Sequence, residues 1–133
     1  MWAPPTSVYP SQVVDGENVA YVHNRHSLRQ TLTEVPEPYR VYPLDAMVGR
    51  RPDIGFPTFT RPNLILRARG VTLTPDEVDS PNPEEGHFEL WVHTFRIGKS
   101  HPQLGQPLEI VLDGGASGVV RQVNIDSVVL GIE

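Results

Sequence analysis

The stretch HFELWVHTFRI, residues 87–97, decides the fold of this chain. Its apolar and polar side chains alternate with the two-residue period of a β-strand. One face of this strand consists of Phe88, Leu90, Val92 and Thr94. The opposite face consists of His87, Glu89, Trp91 and His93. Because the second set is the more polar, we expect it to point outward from a sheet whose other face packs on a core.

Seven further segments are extended and alternate in a similar way. They cover residues 17–24, 27–33, 39–48, 63–69, 71–73, 107–113 and 122–132. Pro43, inside the third of these segments, indicates a bulge or an edge position, because proline cannot donate to a sheet ladder. The connectors are rich in the 14 prolines and 11 glycines of the chain, which interrupt long helices. The pattern predicts an all-β fold, a jelly-roll β-sandwich of about seven to eight strands that forms one domain over residues 1–133.

The composition excludes several classes of function. The 133 residues carry a net charge of −5, which argues against binding to nucleic-acid phosphates. The chain has no cysteine, so it has no disulfide, thiol nucleophile or thiolate metal site. No apolar run approaches the roughly 18 residues of a membrane span. We therefore expect no nucleic-acid partner and no membrane insertion.

Five motifs follow one another in a familiar order: DGENVAYVHN (15–24), SLRQTL (27–32), VGRRPD (48–53), LGQPLEIVL (104–112) and NIDSVVL (124–130). In this order they resemble the galactose-binding-like jelly-roll domains of bacterial extracellular and surface proteins. These domains are of the PEP-CTERM-associated type and are similar to carbohydrate-binding modules. The resemblance covers nearly the whole chain. It implies a jelly roll and a location outside the cell or on the cell surface.

The resemblance also bears on the first strand of the sandwich. Complete domains of this type begin with an Asn-Pro-rich strand ahead of a tryptophan, and Trp2 matches that tryptophan. Two alternatives follow: a complete sandwich, or a sandwich that lacks its first strand. A missing strand leaves an open sheet edge, which pairs readily with another chain. We expect a homo-oligomer that forms through this edge.

Two arginines and an aspartate follow directly on an apolar run in AMVGRRPDIGFP, residues 46–57. Arginine binds carboxylates in a bidentate way, so Asp53 can fold back on Arg50 or Arg51 and clamp the loop. In the other interpretation the arginines and Asp53 bind the hydroxyl groups of a ligand beside Phe56. The cluster lacks a nucleophile with an adjacent base, and it therefore gives no indication of catalysis.

The predicted outward face of residues 87–97 contains a second candidate for ligand binding. Its two histidines, His87 and His93, are about 20 Å apart along the strand and cannot hold one metal ion. Trp91 is either covered by a loop or exposed as an aromatic surface on which a sugar ring packs. In the second case, flanking polar groups such as His93 take the hydroxyl groups of the sugar.

Asp126 lies in NIDSV among apolar neighbours that look buried, so its carboxylate requires a partner. That partner is an arginine, a set of backbone N–H groups or a cation. In related jelly rolls an acidic residue near the last strand helps to bind a structural calcium ion. Asp15 and Glu17 are the candidate co-ligands here. The five carboxylates of residues 75–85 lack the spacing of an EF-hand, so we expect a solvated loop there.

The sequence contains no nucleophile elbow, zincin motif or phosphate-binding loop, so we expect no catalytic activity. The residues favour an extracellular binding module that recognises a glycan or a similar polar ligand. The alternative is a structural subunit of a surface or filament-like assembly. A binding module would keep Trp91 exposed in a groove, whereas an assembly subunit would bury it against another chain.

Overall fold

The computed structural model describes residues 1, 3, 19–52, 59, 61–115 and 122–133. These residues form nine β-strands, and none of them is helical. The strands are β1 (Ala20–His23), β2 (Ser27–Thr31), β3 (Arg40–Gly49), β4 (Asn63–Ala68), β5 (Val71–Thr72), β6 (Glu77–Asp79), β7 (Phe88–Ile97), β8 (Leu108–Asp113) and β9 (Gln122–Leu130). Within the described ranges, no helix is long and apolar enough to cross a membrane.

The strands form two antiparallel sheets. One sheet has five strands in the order β1-β9-β3-β7-β6, and the other has four strands in the order β2-β8-β4-β5. The core lies between the facing sides of the two sheets. The predicted all-β sandwich is therefore confirmed.

Alternation along β3 decides which of its side chains enter the core. The even-numbered residues from Tyr42 to Val48 are buried, and the odd-numbered residues between them are partly exposed. The opposing wall of the core consists of Leu64, Leu66, Ala68, Leu108, Ile110 and Leu112. Burial of a large apolar side chain stabilises a protein by roughly 1.5–3 kcal/mol, so this interior holds the two sheets together.

The side chains of β7 face the opposite way from the prediction. Ala46, a core residue of β3, lies opposite Trp91 and shares its inner face. Trp91 is 1% exposed, whereas Leu90 on the outer face is 47% exposed. The prediction that the row containing Trp91 and His93 points outward is therefore wrong. The reason is that Trp91 and Phe95 carry more apolar area than the residues of the alternate face, so burying them removes more of that area from water.

The edge position inferred from Pro43 is also wrong, because β3 is a central strand between β9 and β7. The proline lies near the end of the β3–β9 ladder, where its carbonyl accepts a hydrogen bond of 2.8 Å from the N–H of Gly131. The β3–β9 pair does contain a bulge, but it lies between Asp45 and Met47 rather than at the proline.

The short edge strand β6 lies in a segment that we predicted to be a solvated loop. It pairs with β7, and Val78 lies opposite His93. Arg96 of β7 holds the segment in place: its backbone N–H donates to Asp76 Oδ2 at 2.7 Å, and its guanidinium group donates to Glu77 Oε1 at 2.6 Å. Three residues are too few to produce a recognisable alternation, so the sequence pattern did not reveal this strand.

Candidate functional site

A cleft of about 480 Å³ opens between the two sheets, at the edge formed by β6 and β5. We call it the inter-sheet cleft. Its lining includes Leu64, Leu73, Val78, Trp91, His93 and Phe95, together with Arg61 and Ser80. A mostly apolar lining with a few polar groups is typical of pockets for small molecules.

Trp91 forms one wall of the inter-sheet cleft and is packed on several sides. Its indole N–H donates to the carbonyl of Pro81 at 2.8 Å. The guanidinium carbon of Arg61 lies 4.5 Å from the ring centroid, within cation–π range. Phe59 meets the ring edge-to-face at 6.4 Å. Trp91 is therefore a covered structural residue, and the prediction of an exposed aromatic surface for a sugar is wrong.

Arg61 ties the start of β4 to the connection between β6 and β7. Its guanidinium group donates to the carbonyl of Ser80 at 2.9 Å and to the Ser80 hydroxyl at 2.6 Å. It also donates to the side-chain oxygen of Asn82. These bonds hold the guanidinium group over the face of Trp91.

His93 lies beside Trp91 in a parallel orientation, with ring centroids 6.5 Å apart. Burial lowers the pKa of His93; a hydrogen bond to the carbonyl of Leu64 acts in the opposite direction, and the charge of Arg61 lowers the pKa further. The ring is therefore neutral at pH 7. Its Nε2 atom is buried and has no hydrogen-bond partner in the part of the chain that the structure describes. We assign the ring proton to Nδ1, facing Leu64, which leaves an unused lone pair on Nε2.

The GRRPD loop begins with an ion pair. Arg50 Nη2 lies 3.3 Å from Glu85 Oε1, and the backbone carbonyl of Arg50 accepts a hydrogen bond of 2.8 Å from the N–H of Gly86. These contacts attach the end of β3 to the segment that precedes β7, as a structural clamp would. The two other predicted members of this site, Asp53 and Phe56, lie outside the described residues. The ligand-binding role of Arg50 and Arg51 stays a prediction.

The outer face of the five-stranded sheet carries a different kind of surface. Its apolar residues include Tyr21, Met47, Leu90, Val92 and Val129, and its central polar residues include Asp45, Asn124 and Asp126. Val129 is 54% exposed and Leu90 is 47% exposed. Exposed apolar surface that surrounds a few polar groups marks a place of interaction.

Asn124 is fully buried on this outer face. It lies between Gly49 of β3 and Tyr21 of β1 in the sheet. Among the described residues, neither polar atom of the Asn124 side chain has a hydrogen-bond partner, and the same holds for Oδ1 of Asp45. A buried polar group without a partner costs about 1–3 kcal/mol and requires an explanation such as a role in function.

A bulge in β9 sets the position of Asp126. Met47 lies opposite Asp126 and Asp45 lies opposite Val129, so β9 has one residue more than β3 over this span. The extra residue allows Ser127 to adopt a left-handed backbone with φ of +48°, and Asp126 Oδ1 accepts a hydrogen bond of 2.8 Å from the Ser127 N–H. Bulges and left-handed residues other than glycine are enriched next to active sites.

The predicted calcium site is described only in part. Asp126 lies on the outer face of the sheet, whereas Asp15 and Glu17 lie outside the described residues. In the part of the chain that the structure describes, no group of three or more His, Asp or Glu side chains is placed to hold a metal ion. The proposed three-carboxylate site therefore stays a prediction.

The comparison with protein families decides the identity of the chain. The sequence model of the HpiC1-like family, described as HpiC1 cyclase, matches residues 1–131. The chain belongs to the HpiC1 cyclase family. No curated protein sequence matches the chain at a significant level.

Solved structures of cyclases from Fischerella share this fold. The Stig cyclase Fisc from Fischerella sp. TAU, in complex with (3Z)-3-(1-methyl-2-pyrrolidinylidene)-3H-indole, is 25% identical with a TM-score of 0.78, over 98% of this chain and 71% of that chain. A cyclase from Fischerella sp. TAU, in complex with 4-(1H-indol-3-yl)butan-2-one, is 26% identical with a TM-score of 0.79 over the same shares. The apo form of a cyclase from Fischerella sp. is 25% identical with a TM-score of 0.79, over 95% of this chain and 67% of that chain.

The family corrects several of our predictions. The resemblance to a galactose-binding-like, PEP-CTERM-associated domain is wrong, although the jelly-roll sandwich it implied is present. The prediction of a non-catalytic protein is wrong, because the family is one of cyclases. The predictions of a glycan partner and of a carbohydrate-binding module are also wrong, because related cyclases are solved with indole compounds. The alternative prediction, a surface or filament-like subunit, is wrong for the same reason. The physical reason is that the shared strand motifs specify the sandwich, whereas the activity depends on side chains placed upon it.

Two further predictions are tested neither by the fold nor by the family. They are the extracellular or cell-surface location and the homo-oligomer formed through an open sheet edge. Both stay predictions.

Sequence reasoning missed three residues that matter to these sites: Asp45, Asn124 and Arg61. Asp45 did carry a signal, since it is a carboxylate at an outward position of an otherwise apolar strand. Asn124 precedes Asp126 by two residues, so the alternation of a strand places both side chains on the same face of β9. Arg61 carried none, because the residues it binds are about 20 positions away along the chain.

The lowered pKa of His93 predicts how stability depends on pH. Unfolding returns the pKa to its ordinary value of 6.5, so the unfolded chain binds a proton more readily than the folded chain. The stability that neutral His93 contributes is therefore complete above pH 6.5, declines as the pH falls below it, and levels off below the folded-state pKa. Urea unfolding of the wild type and His93→Gln between pH 8 and 5 should show a stability difference that shrinks on acidification.

The control for this prediction is His26→Gln, which changes an exposed histidine. Urea unfolding of this variant over the same pH range gives the reference for a substitution at the surface. A difference between wild type and His93→Gln that is constant from pH 8 to 5 would contradict the prediction.

Proposed function

We propose that the protein is an enzyme that closes a ring in a small aromatic substrate of the indole class. We place its active site on the outer face of the five-stranded sheet. The family supports the reaction type, and the indole compounds bound to related cyclases support the substrate class. The observation that carries the location is the strained bulge of β9, which sets Asp126 beside two side chains with unused polar atoms.

The outer face suits an aromatic ring in both shape and chemistry. Met47, Leu90 and Val129 form an apolar surface on which a flat ring can pack. Asp45 and Asn124 carry oxygen atoms that have no partner in the described chain. These oxygens are buried in the free protein, so one of the two side chains would have to turn outward to accept from an indole N–H. That hydrogen bond would satisfy the oxygen and fix the orientation of the ring.

The proposed reaction requires a proton donor and a proton acceptor. When an alkene side chain closes onto an aromatic ring, a proton adds to the alkene, a carbon–carbon bond forms, and the ring carbon releases a proton. The product is an isomer of the substrate, so no electrons are gained or lost. We assign the proton transfers to the Asp126 carboxyl group, which can donate and then accept. Asp45, diagonal to it on β3, would stabilise the positive charge that develops on the ring.

Substitution of Asp126 tests this assignment. Asp126→Asn keeps the size and the oxygen that accepts from Ser127 but cannot exchange a proton at neutral pH. We expect kcat for an indole with an alkene-bearing substituent at C3 to fall by about 10²–10⁴-fold, the usual contribution of a general acid–base group. The assay follows the appearance of a product of unchanged mass by chromatography and mass spectrometry.

Asp79→Asn is the matched control, because Asp79 lies on the same face but at the exposed edge strand β6, opposite Val92. This variant should keep wild-type activity. Circular dichroism and melting curves should show that both variants are folded. Full activity in folded Asp126→Asn would remove Asp126 from the mechanism.

We also propose a structural calcium ion near the start of β1. This is the site predicted from Asp126, Asp15 and Glu17. β1 begins at Ala20, which lies opposite Ile125 and therefore next to Asp126. A carboxylate bound to calcium cannot donate a proton, so the calcium ion is an alternative to the proton-transfer role of Asp126. Calcium takes six to eight oxygen ligands, so Asp126 alone cannot hold it. Asp15 and Glu17 would supply further oxygens, together with backbone carbonyls or water.

Melting curves in calcium and in chelator test this proposal. A ligand that binds only the folded state at 100 times its Kd stabilises it by about 2.7 kcal/mol, so millimolar calcium should raise Tm by several degrees. The paired variant Asp15→Asn/Glu17→Gln should lose this increase while keeping the chelator Tm. Identical curves for the wild type in calcium and in chelator would reject the calcium site and leave the assignment of Asp126 as a proton donor intact.

A further inference from the structure

We propose that the inter-sheet cleft is a second binding site, distinct from the outer face, for a small neutral aromatic molecule with one O–H or N–H donor. The cleft lies between the sheets, whereas Asp45, Asn124 and Asp126 lie on the opposite side of the five-stranded sheet. A molecule in the cleft therefore cannot contact those three residues. The proposal does not depend on the proposed cyclase activity.

The size and lining of the cleft define the class of ligand. Its volume of about 480 Å³ falls within the usual range for small-molecule pockets. The walls contributed by Leu64, Leu73 and Phe95 are apolar, which favours a ring over a flexible polar chain. Among the described lining residues, Arg61 is the charged one, and its positive charge disfavours a cationic ligand.

The unused acceptor in the cleft is Nε2 of His93. The ring nitrogen that carries the proton faces the carbonyl of Leu64, and Nε2 has no partner among the described residues. Nε2 is buried in the free protein, so a ligand O–H or N–H donates to this lone pair when the neighbouring side chains shift. A ligand that has only acceptor atoms gains nothing from it, so the cleft should discriminate between molecules of the same shape by their donor.

Val78 is the neighbour of His93 on the edge strand. It lies directly opposite His93, so the two side chains are close on the same face of the sheet. Val78 belongs to a three-residue edge strand and is itself 54% exposed. A smaller side chain at position 78 therefore widens the cleft beside His93 without disturbing the central strands of the sheet.

Phenol and toluene form a matched pair of probes, because they share one ring and differ in the donor. We expect phenol to bind the wild type about tenfold more tightly than toluene, which corresponds to one hydrogen bond in a buried site. Binding is followed at pH 7.5 by shifts of backbone amide signals in NMR titrations. The residues that shift should line the cleft.

Three variants assign the effect to its atoms. His93→Phe keeps an aromatic ring but removes the acceptor, so the preference for phenol over toluene should disappear. Val78→Ala widens the cleft beside His93 and should strengthen phenol binding. Asp126→Asn lies on the other side of the sheet and should leave phenol binding unchanged, whatever it does to cyclase activity.

The nitrogen signals of His93 give a readout that needs no variant. In the free protein they should report a neutral ring protonated at Nδ1, and phenol should shift the Nε2 signal of the wild type. Equal affinities for phenol and toluene, or no shift at Nε2 on saturation with phenol, would overturn the proposal. So would phenol-induced shifts confined to the outer face of the five-stranded sheet.

Discussion

The packing of Trp91 between the two sheets is the constraint on which the rest of the structure depends. Its ring fills the inner side of β7 opposite Ala46, and its N–H is satisfied by the carbonyl of Pro81. Arg61 covers one face of the ring and ties the β6–β7 connection to the start of β4. Because the side of β7 that carries Trp91 packs in the core, the opposite side faces outward. That outward side includes Leu90.

The orientation of β7 gives the five-stranded sheet an outer face that is apolar at several positions. This face carries acidic side chains at its centre. The register of β3 with β9 brings Asp45 and Asp126 to the same face, separated by a bulge at Ser127. A regular ladder would place a residue directly opposite each partner and leave no strain. The left-handed Ser127 and the Asn124 side chain, whose polar atoms have no partner among the described residues, lie close together on β9. Unfavourable features of this kind are often found at functional sites.

The sequence was sufficient for the sandwich but not for the sites. Alternation with a period of two located β3, β7, β8 and β9, because each is long enough to repeat the pattern. It could not decide which face of β7 is buried, since the polar set contained the largest aromatic side chain, Trp91. The position of Asp126 depends on a one-residue offset between β3 and β9, and the contact of Arg61 with Ser80 joins distant segments. Neither the offset nor the Arg61 contact produces a local pattern in the sequence. The distinction between a glycan-binding module and a cyclase depends on side-chain positions of this kind.

A crystal structure of the protein soaked with 4-(1H-indol-3-yl)butan-2-one, a compound bound by a related cyclase, tests the central claim most directly. The account predicts that the indole ring lies on the outer face of the five-stranded sheet, with its N–H within hydrogen-bond distance of Asp45, Asn124 or Asp126. Density for the ring only in the inter-sheet cleft, or only against the four-stranded sheet, would contradict the assignment of the active site.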